Sequence, residues 1–376
     1  MEKISYLREE FIAQDRYRYV NVLWVTNVAN PYRIPIWRAL AEQVNLTVAL
    51  LSRAEPNRSW DFSEEEIGIP TVFLGSPVYR SRELSTYWPN RKLHRLLMQD
   101  LNAVILGGWE SPAYVYSLLI AKIRGLKTIS HYGSTNKTHR YTSGLVGRLR
   151  AWFYRRLDAH VTYGTEATKS LLSMDVKADK IVTGFNSVDH EYFHNEVNLI
   201  RAQNINQVPQ GHCYLYVGQL LKRKNIDNVI RAFASMRGAR DSLRIVGSGS
   251  EEQHLEDLII ELGLVDQITM TGPKAGGALL EEYAQANTLV LASTNEVWGL
   301  VVNEALASGL HVVVSENCGV AADVKDMQGV YFCGTSVLEI EKAMSASRDS
   351  SYSVIESPAI LHYEPGVSAG FFIHAL

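Results

Sequence analysis

Residues 288–316, TLVLASTNEVWGLVVNEALASGLHVVVSE, decide how the chain is read. The short apolar run TLVLAS reads as a buried strand and TNEVWG as the turn after it. LVVNEALAS then reads as a helix closed by Gly309, and HVVVSE as the next strand. Strand, helix and strand in that order form a βαβ unit, whose strands lie parallel in one sheet. Glu296 then falls at the carboxyl edge of the sheet and Glu304 early in the helix. A carboxylate set into an apolar helix needs a partner, which a ligand can supply. The free N–H groups of the helix's first turn, around Gly299, Leu300 and Val301, form a ready anion site.

The same alternation runs outward in both directions. Strand candidates precede it at 20–26, 46–52, 71–75, 103–107, 127–130 and 159–164, and a second series occupies 213–219, 242–247, 267–272, 288–293 and 311–316. The polar stretch 196–212, ending in Pro-Gln-Gly, reads as a linker. The expected organisation is an N-terminal domain over 1–195 with an extension at 1–19, that linker, and a C-terminal domain over 213–360. A terminal helix at 361–376 then needs an apolar surface, with the N-terminal domain one candidate. At 376 residues two domains of ordinary size are expected. Two doubly wound domains of this kind bind ligands beyond the carboxyl ends of their strands, here in the cleft between them.

Composition narrows the classes. Hydrophobic content of 46% and charged content of 20% are those of a globular protein, and there is no apolar run of membrane-spanning length. Residues 1–19 mix charges of both signs, against a secretory signal. Cys213, Cys318 and Cys333 are few and scattered, as in reduced structural thiols, which points to the cytoplasm. Residues 1–195 carry 25 Lys and Arg against 19 Asp and Glu, while 196–376 carry 12 against 21. Net charges of +6 and −9 thus hide in a total of −3, and the basic half favours anionic surfaces or ligands.

EVWGLVVNEALASGLHVVVSENCGVAADV resembles the donor-binding segment of glycosyltransferase family 4, the group 1 glycosyltransferases, in which two glutamates are separated by seven residues. YVGQLLKRKNIDNVIRAFASM (216–236), residues 243–272, NVLWVTNVANPYRIPIWRALAE (21–42) and KIVTGFNSVDHEYF (180–193) are similar to other segments of that family. The resemblance implies the α/β GT-B fold, two doubly wound Rossmann-like domains facing each other across a cleft. It also implies a retaining transfer of sugar from a nucleotide-sugar donor, UDP- or GDP-linked, to a glycan or lipid-linked acceptor in polysaccharide, lipopolysaccharide or glycolipid biosynthesis. No cofactor or metal is expected, and no Asp-x-Asp motif is present. No nucleic-acid partner is expected.

By the same resemblance Glu296 lies by the donor sugar, Glu304 takes the ribose hydroxyls and Lys224 meets the diphosphate. Glu296, Lys224 and His131, which ends a strand of the first domain, are the catalytic candidates. Gly218, Gln219, Arg223, Trp298, Gly299, Leu300 and Val301 complete the donor site, with Gly247, Gly249, Gly272 and Lys274 near the nucleotide. Asn30, Arg33 and Gly133 fall on the acceptor side. Gln219 stands where the family often has an arginine, and the loop 27–33 lacks the family's glycines. Retention is compatible with a covalent nucleophile or with front-face transfer; no residue declares itself as the nucleophile, which favours the second. A sugar-nucleotide epimerase and a non-catalytic sugar-nucleotide-binding protein remain open alternatives.

Two basic, aromatic segments, 79–99 and 145–157, suit either contact with an anionic membrane or core packing with a solvated rim. On a helical wheel Leu145, Leu149, Trp152 and Phe153 share a face, with Arg148, Arg150 and Arg155 off it. The first alternative makes the protein peripheral at the inner face of the membrane.

Overall fold

The computed structural model of the chain describes residues 19–54, 62–81, 84–139, 144–204, 211–350 and 354–376. They form two compact units, one running to Val188 and resuming at Tyr363–Leu376, the other spanning Asp189–His362.

The first unit is built on a seven-stranded parallel sheet. Its strands are β1 (Asn21–Thr26), β2 (Asn45–Leu50), β3 (Thr71–Phe73), β6 (Ala103–Leu106), β7 (Lys127–Tyr132), β8 (Ala159–Thr162) and β9 (Ile181–Thr183), in the order β3-β2-β1-β6-β7-β8-β9. Between β3 and β6 a separate antiparallel ribbon pairs β4 (Val78–Ser81) with β5 (Leu84–Tyr87). β6 is buried at every position, which explains its unbroken apolar sequence AVIL. The last helix, Pro365–Ala375, packs on the helix Ile34–Ala41 and beside β8 and β9. Phe372 is fully buried there with its ring 4.6 Å from that of Trp24, and the Ser187 and Ser368 hydroxyls meet at 2.7 Å.

The second unit carries a six-stranded parallel sheet of β10 (Cys213–Val217), β11 (Ser242–Val246), β12 (Ile268–Gly272), β13 (Thr288–Leu291), β14 (His311–Ser315) and β15 (Val330–Cys333), in the order β12-β11-β10-β13-β14-β15. The order reverses between β10 and β13, the switch point at which such sheets leave room for a ligand.

Three expectations need correction. The stretch 196–212 read as a linker begins inside a helix, His190–Gln203, whose Val197 is fully buried. Arg201 of that helix donates to the carbonyls of Ser308 at 2.6 Å and Tyr283 at 3.2 Å, so the segment is docked on the second unit. Residues 205–210 lie outside the described residues. The strands β9 and β15 went unread: each is an edge strand of three or four residues with one face partly exposed, too short for a period to show. The helix Gly144–Arg156 also turns differently from its helical wheel: Arg150 is buried with Phe153, and Leu145, Val146 and Leu149 are the exposed apolar residues. No helix among the described residues is long and apolar enough to cross a membrane.

Candidate functional site

In the second unit the ends of β10, β11 and β12 are stitched together through glycines. Gly218 donates its N–H to Val246 O, Gly247 to Gly272 O, and Leu220 to Ser248 O. A Cβ on Gly247 would stand 1.8 Å from Gly218 O, and one on Gly249 would stand 2.2 Å from Leu220 O. Close approach of backbone to backbone therefore requires glycine at both positions. The chain then enters a 3₁₀ turn, Lys222–Lys224, and passes through Asn225 in the left-handed region. Asn225 is buried and fixes the turn by donating to Ala292 O at 3.1 Å and Thr335 O at 2.9 Å.

This turn meets the loop after β13. Thr294 donates its N–H to Arg223 O at 2.8 Å, and the Arg223 guanidinium donates to Asn295 O at 3.2 Å. Glu296 Oε2 accepts from Arg223 Nη1 at 3.1 Å and also from Lys224 Nζ. The side chains of Lys224 and Glu296 are only 11% and 13% exposed, so this pair is far less screened than one on an open surface. Arg223 is more open, and Lys222 pairs instead with Asp227 at 2.9 Å. The Glu296 loop is zipped to residues 317–320 by Gly319 N–H to Glu296 O and Val320 N–H to Trp298 O. Gly299, with φ of 104°, then starts the helix Leu300–Ala307.

The second glutamate lies inside. Glu304 is 1% exposed, and its Oε2 accepts the Tyr283 hydroxyl at 2.6 Å. Trp298, expected at the donor, is turned inward: it is buried, and its indole N–H donates to Asn303 Oδ1 at 3.0 Å. Asn303 in turn lies 3.2 Å from His190 Nε2, which ties the Glu296 loop to the start of the helix His190–Gln203. Lys274 is engaged as well. It bonds the buried Glu282, which Arg244 holds from its other side with an Nη2 contact of 2.8 Å. Burial opposes the Glu282 charge, but these two cations outweigh it and hold the carboxyl below its ordinary value. Gln219 is exposed, with its carbonyl accepting the Tyr216 hydroxyl.

In the first unit His131 is the next-to-last residue of β7 and is buried among three rings: Tyr163 at 4.7 Å, Phe372 at 5.1 Å and Trp24 at 5.5 Å between centroids. Its Nδ1 has no hydrogen-bond partner among the described residues. Burial, and then the Arg33 charge, push its pKa well below the usual value, so the ring stays neutral. Arg33 bonds the Tyr163 hydroxyl, with its guanidinium 5.7 Å from the Tyr163 ring centre. Gly133 lets that ring lie close, since a Cβ there would come within 2.3 Å of it. Asn30 shapes the turn before Arg33, accepting Tyr32 N–H at 3.0 Å on its side chain and Arg33 N–H at 2.9 Å on its carbonyl. Sequence reasoning missed Tyr163, Phe372, Asn225 and Tyr283. Only the left-handed Asn225, after a strand and before a helix, had a local signal.

Two Rossmann-like α/β units of this construction define the GT-B class of fold. The solved structures similar to the chain agree. The Anabaena protein HepE in complex with UDP aligns with a TM-score of 0.69 over 95% of this chain and 94% of that one, at 14% identity. The lipopolysaccharide outer core galactosyltransferase WaaB in its apo form aligns with a TM-score of 0.68 over 95% and 99%, at 13% identity. In sequence, residues 201–346 match the model of the family described as glycosyl transferases group 1. An uncharacterized glycosyltransferase of Methanocaldococcus jannaschii is 30% identical over 161 residues, 41% of each chain. A D-inositol 3-phosphate glycosyltransferase of Stackebrandtia nassauensis is 29% identical over 181 residues, 45% of this chain and 41% of that one. The chain thus matches these curated relatives over about two fifths of their length.

Proposed function

We propose that the protein is a retaining glycosyltransferase that takes a nucleotide-sugar, UDP- or GDP-linked, on its second unit and passes the sugar to a glycan or lipid-linked acceptor held by its first. The observation that carries the reading is the cluster of Lys224, Arg223 and Glu296 where β10 and β13 diverge, next to the first turn of the helix Leu300–Ala307. A departing nucleoside diphosphate gathers negative charge, and a sheltered ammonium beside helix N–H groups stabilises that charge as it develops. Glu296 keeps Lys224 in place without donor and is suited to take hydroxyls of the donor sugar once the diphosphate claims the ammonium. Glu304, aimed by Tyr283, is assigned to the ribose hydroxyls. The complex of HepE with UDP supports a uracil nucleotide as the first donor to test.

Glu296 is assigned to holding Lys224 and then the donor sugar's hydroxyls, not to covalent attack. Front-face transfer fits instead: the leaving phosphate oxygen takes the acceptor proton while Lys224 and the helix amides hold the diphosphate. His131, kept neutral, is assigned a hydrogen-bonding role toward the acceptor or donor sugar, with Arg33, Asn30 and Gly133 shaping its surroundings. The exposed Leu145, Val146 and Leu149, with Arg148 and Arg155 on the same helix, support peripheral contact with an anionic membrane at its cytoplasmic face, where lipid-linked acceptors in polysaccharide or lipopolysaccharide synthesis reside. Incubation of UDP-glucose, UDP-galactose and GDP-mannose with a panel of glycan and lipid-linked acceptors tests the reading. A product of the donor's own anomeric configuration, read by NMR, is expected; an inverted product, or no transfer from any donor that binds, overturns it.

A further inference from the structure

The loop that carries Glu296 and the helix Leu300–Ala307 meet at Gly299, whose φ of 104° lies in the left-handed region. A glycine there is a pivot, since no Cβ restricts its backbone. The pivot separates the two halves of the donor cluster, Glu296 with Lys224 on one side and the first-turn amides of the helix on the other. Backbone bonds zip the loop to residues 317–320, and these bonds stop short of Gly299. A side-chain bond crosses it. The Trp298 indole N–H, on the loop side, donates to Asn303 Oδ1, on the helix side, at 3.0 Å.

This clasp is oriented from behind. An indole nitrogen only donates, so the Asn303 atom that meets it is the carbonyl oxygen, and the amide nitrogen faces His190 Nε2 at 3.2 Å. The amide nitrogen also only donates, which makes His190 Nε2 the acceptor and puts the imidazole proton on Nδ1. Turning the Asn303 amide over would set two donors against each other at Trp298. His190, the first residue of the helix His190–Gln203, therefore holds the amide in the orientation that grips the indole. Asn303 and His190 are fully buried, and Val302, Ala305 and Leu306 beside Asn303 are apolar. An apolar side chain would fill the position without the desolvation cost of an amide. A buried polar chain whose members match one another contributes a single geometry, where an apolar contact tolerates several.

We propose that Asn303 is a positioning residue of the donor site: oriented by His190, it fixes Trp298 and so sets the angle between the Glu296 loop and the amides that open the helix at Leu300. The role rests on the donor-site reading above; the chain of hydrogen bonds does not.

The test compares the wild type with N303L, W298F, H190L, H190Q and W298F/N303L by calorimetric titration with UDP and GDP and by urea unfolding. Y214F is the control, since it removes a buried bond of 2.9 Å from the Tyr214 hydroxyl to Met344 O that touches neither the loop nor the helix. N303L is expected to weaken binding of the nucleotide that the wild type takes several-fold. W298F, which keeps a ring and removes the N–H, should show the same loss and carries the test if N303L does not fold. H190L should weaken binding less, and H190Q, whose amide oxygen replaces Nε2 as acceptor, should restore it. In W298F/N303L both partners of the clasp become apolar, so the urea midpoint should recover toward wild type while the affinity stays low. Recovery of both together, a loss of equal size in Y214F, or wild-type affinity in N303L and W298F overturns the proposal. H190Q binding no better than H190L overturns the part given to His190. The indole N–H resonance of Trp298, identified by NMR as the one absent from W298F, separates the two readings. It should shift in N303L, and a resonance that ignores N303L overturns the clasp whatever binds. Nucleotide binding that the variants leave unchanged removes the positioning role alone. No nucleotide binding by the wild type, with the indole resonance still sensitive to N303L, removes the donor reading and the positioning role with it.

Discussion

The carboxyl ends of the two parallel sheets are finished in opposite ways. In the second unit the strand ends are drawn together by Gly218, Gly247 and Gly249 and crowned by Lys224, Arg223 and Glu296, so that backbone amides and charge dominate. In the first unit the corresponding edge holds a neutral His131 walled by Trp24, Tyr163 and Phe372. The same fold element thus supplies two surroundings: one of backbone amides and paired charges, the other an aromatic wall around a neutral imidazole with the Arg33 guanidinium beside it. A chain of net charge −3 thus carries this cation–carboxylate cluster in its acidic half. The cluster is a local construction of one turn and one loop, and the global charge says nothing about it.

The contrast is most sharply broken at Lys224. Lys224→Ala leaves Glu296 with Arg223 alone and removes the sheltered ammonium, so transfer should fall by about 10²–10³ fold in kcat. Steady-state kinetics at saturating donor check this, and a fall of less than about threefold would place the charge stabilisation elsewhere. Next is the backbone stitch. Gly247→Ala puts a Cβ against Gly218 O at a φ of 140° and should cost about 3 kcal/mol, read as a lowered urea midpoint, whereas Gly277→Ala, with open space around it, should cost well under 1 kcal/mol. Equal midpoints for the two variants would mean that the strand ends are not held as described.

A smaller effect concerns acid. Burial keeps His131 neutral and pushes His139 to about 4 and His160 to about 3 in the first unit, while in the second His212 is pushed to about 4 by burial. The unfolded chain takes up these protons near pH 6.5 and the folded chain does not, so stability is complete above about 6.5 and falls as pH drops below it. For the fully buried His160 the loss is on the order of 1 kcal/mol per pH unit. Three such groups against one predict that amide protection, corrected for the intrinsic exchange rate at each pH, falls more between pH 7 and 5 in the first unit than in the second; mass spectrometry of the exchanged peptides decides it, and the reverse order would refute the assignment. The smallest effect expected is at Gln219, which is exposed beside the cluster. Gln219→Arg restores a positive charge at the rim and should tighten nucleotide binding by no more than about tenfold, as a partly screened charge allows. Weaker binding would show that the position faces the cations rather than the ligand.

How much of this could be read in the sequence follows from how local each signal is. The βαβ alternation was legible because buried strands such as AVIL and HVVVS are continuous apolar runs bounded by glycine or polar turns. That Lys224 and Glu296 serve one site was readable only through resemblance, and their direct pairing was not read, since 72 positions separate them in the chain. The direction of side chains was not legible at all. Trp298 turned inward to Asn303, Arg150 turned inward on a helix that its wheel placed otherwise, and Lys274 was taken by Glu282, because each depends on a partner supplied by another element. The helix His190–Gln203 was hidden by its own polarity. Phe193, Val197 and Ile200 carry helical spacing, but His194, Asn195, Glu196 and Asn198 between them are polar side chains that mimic a linker.

The central claim, that the second unit holds a nucleoside diphosphate through Lys224 and Glu304, is tested most directly by calorimetric titration with UDP, with GDP beside it. The account predicts that one of the two binds the wild type. Lys224→Ala and Glu304→Ala should each weaken that binding at least tenfold, about 1.4 kcal/mol or more, while Arg91→Ala in the first unit leaves it unchanged. Binding that ignores Lys224 and Glu304, or no binding of either nucleotide, would contradict it and leave the GT-B fold here without its expected donor chemistry.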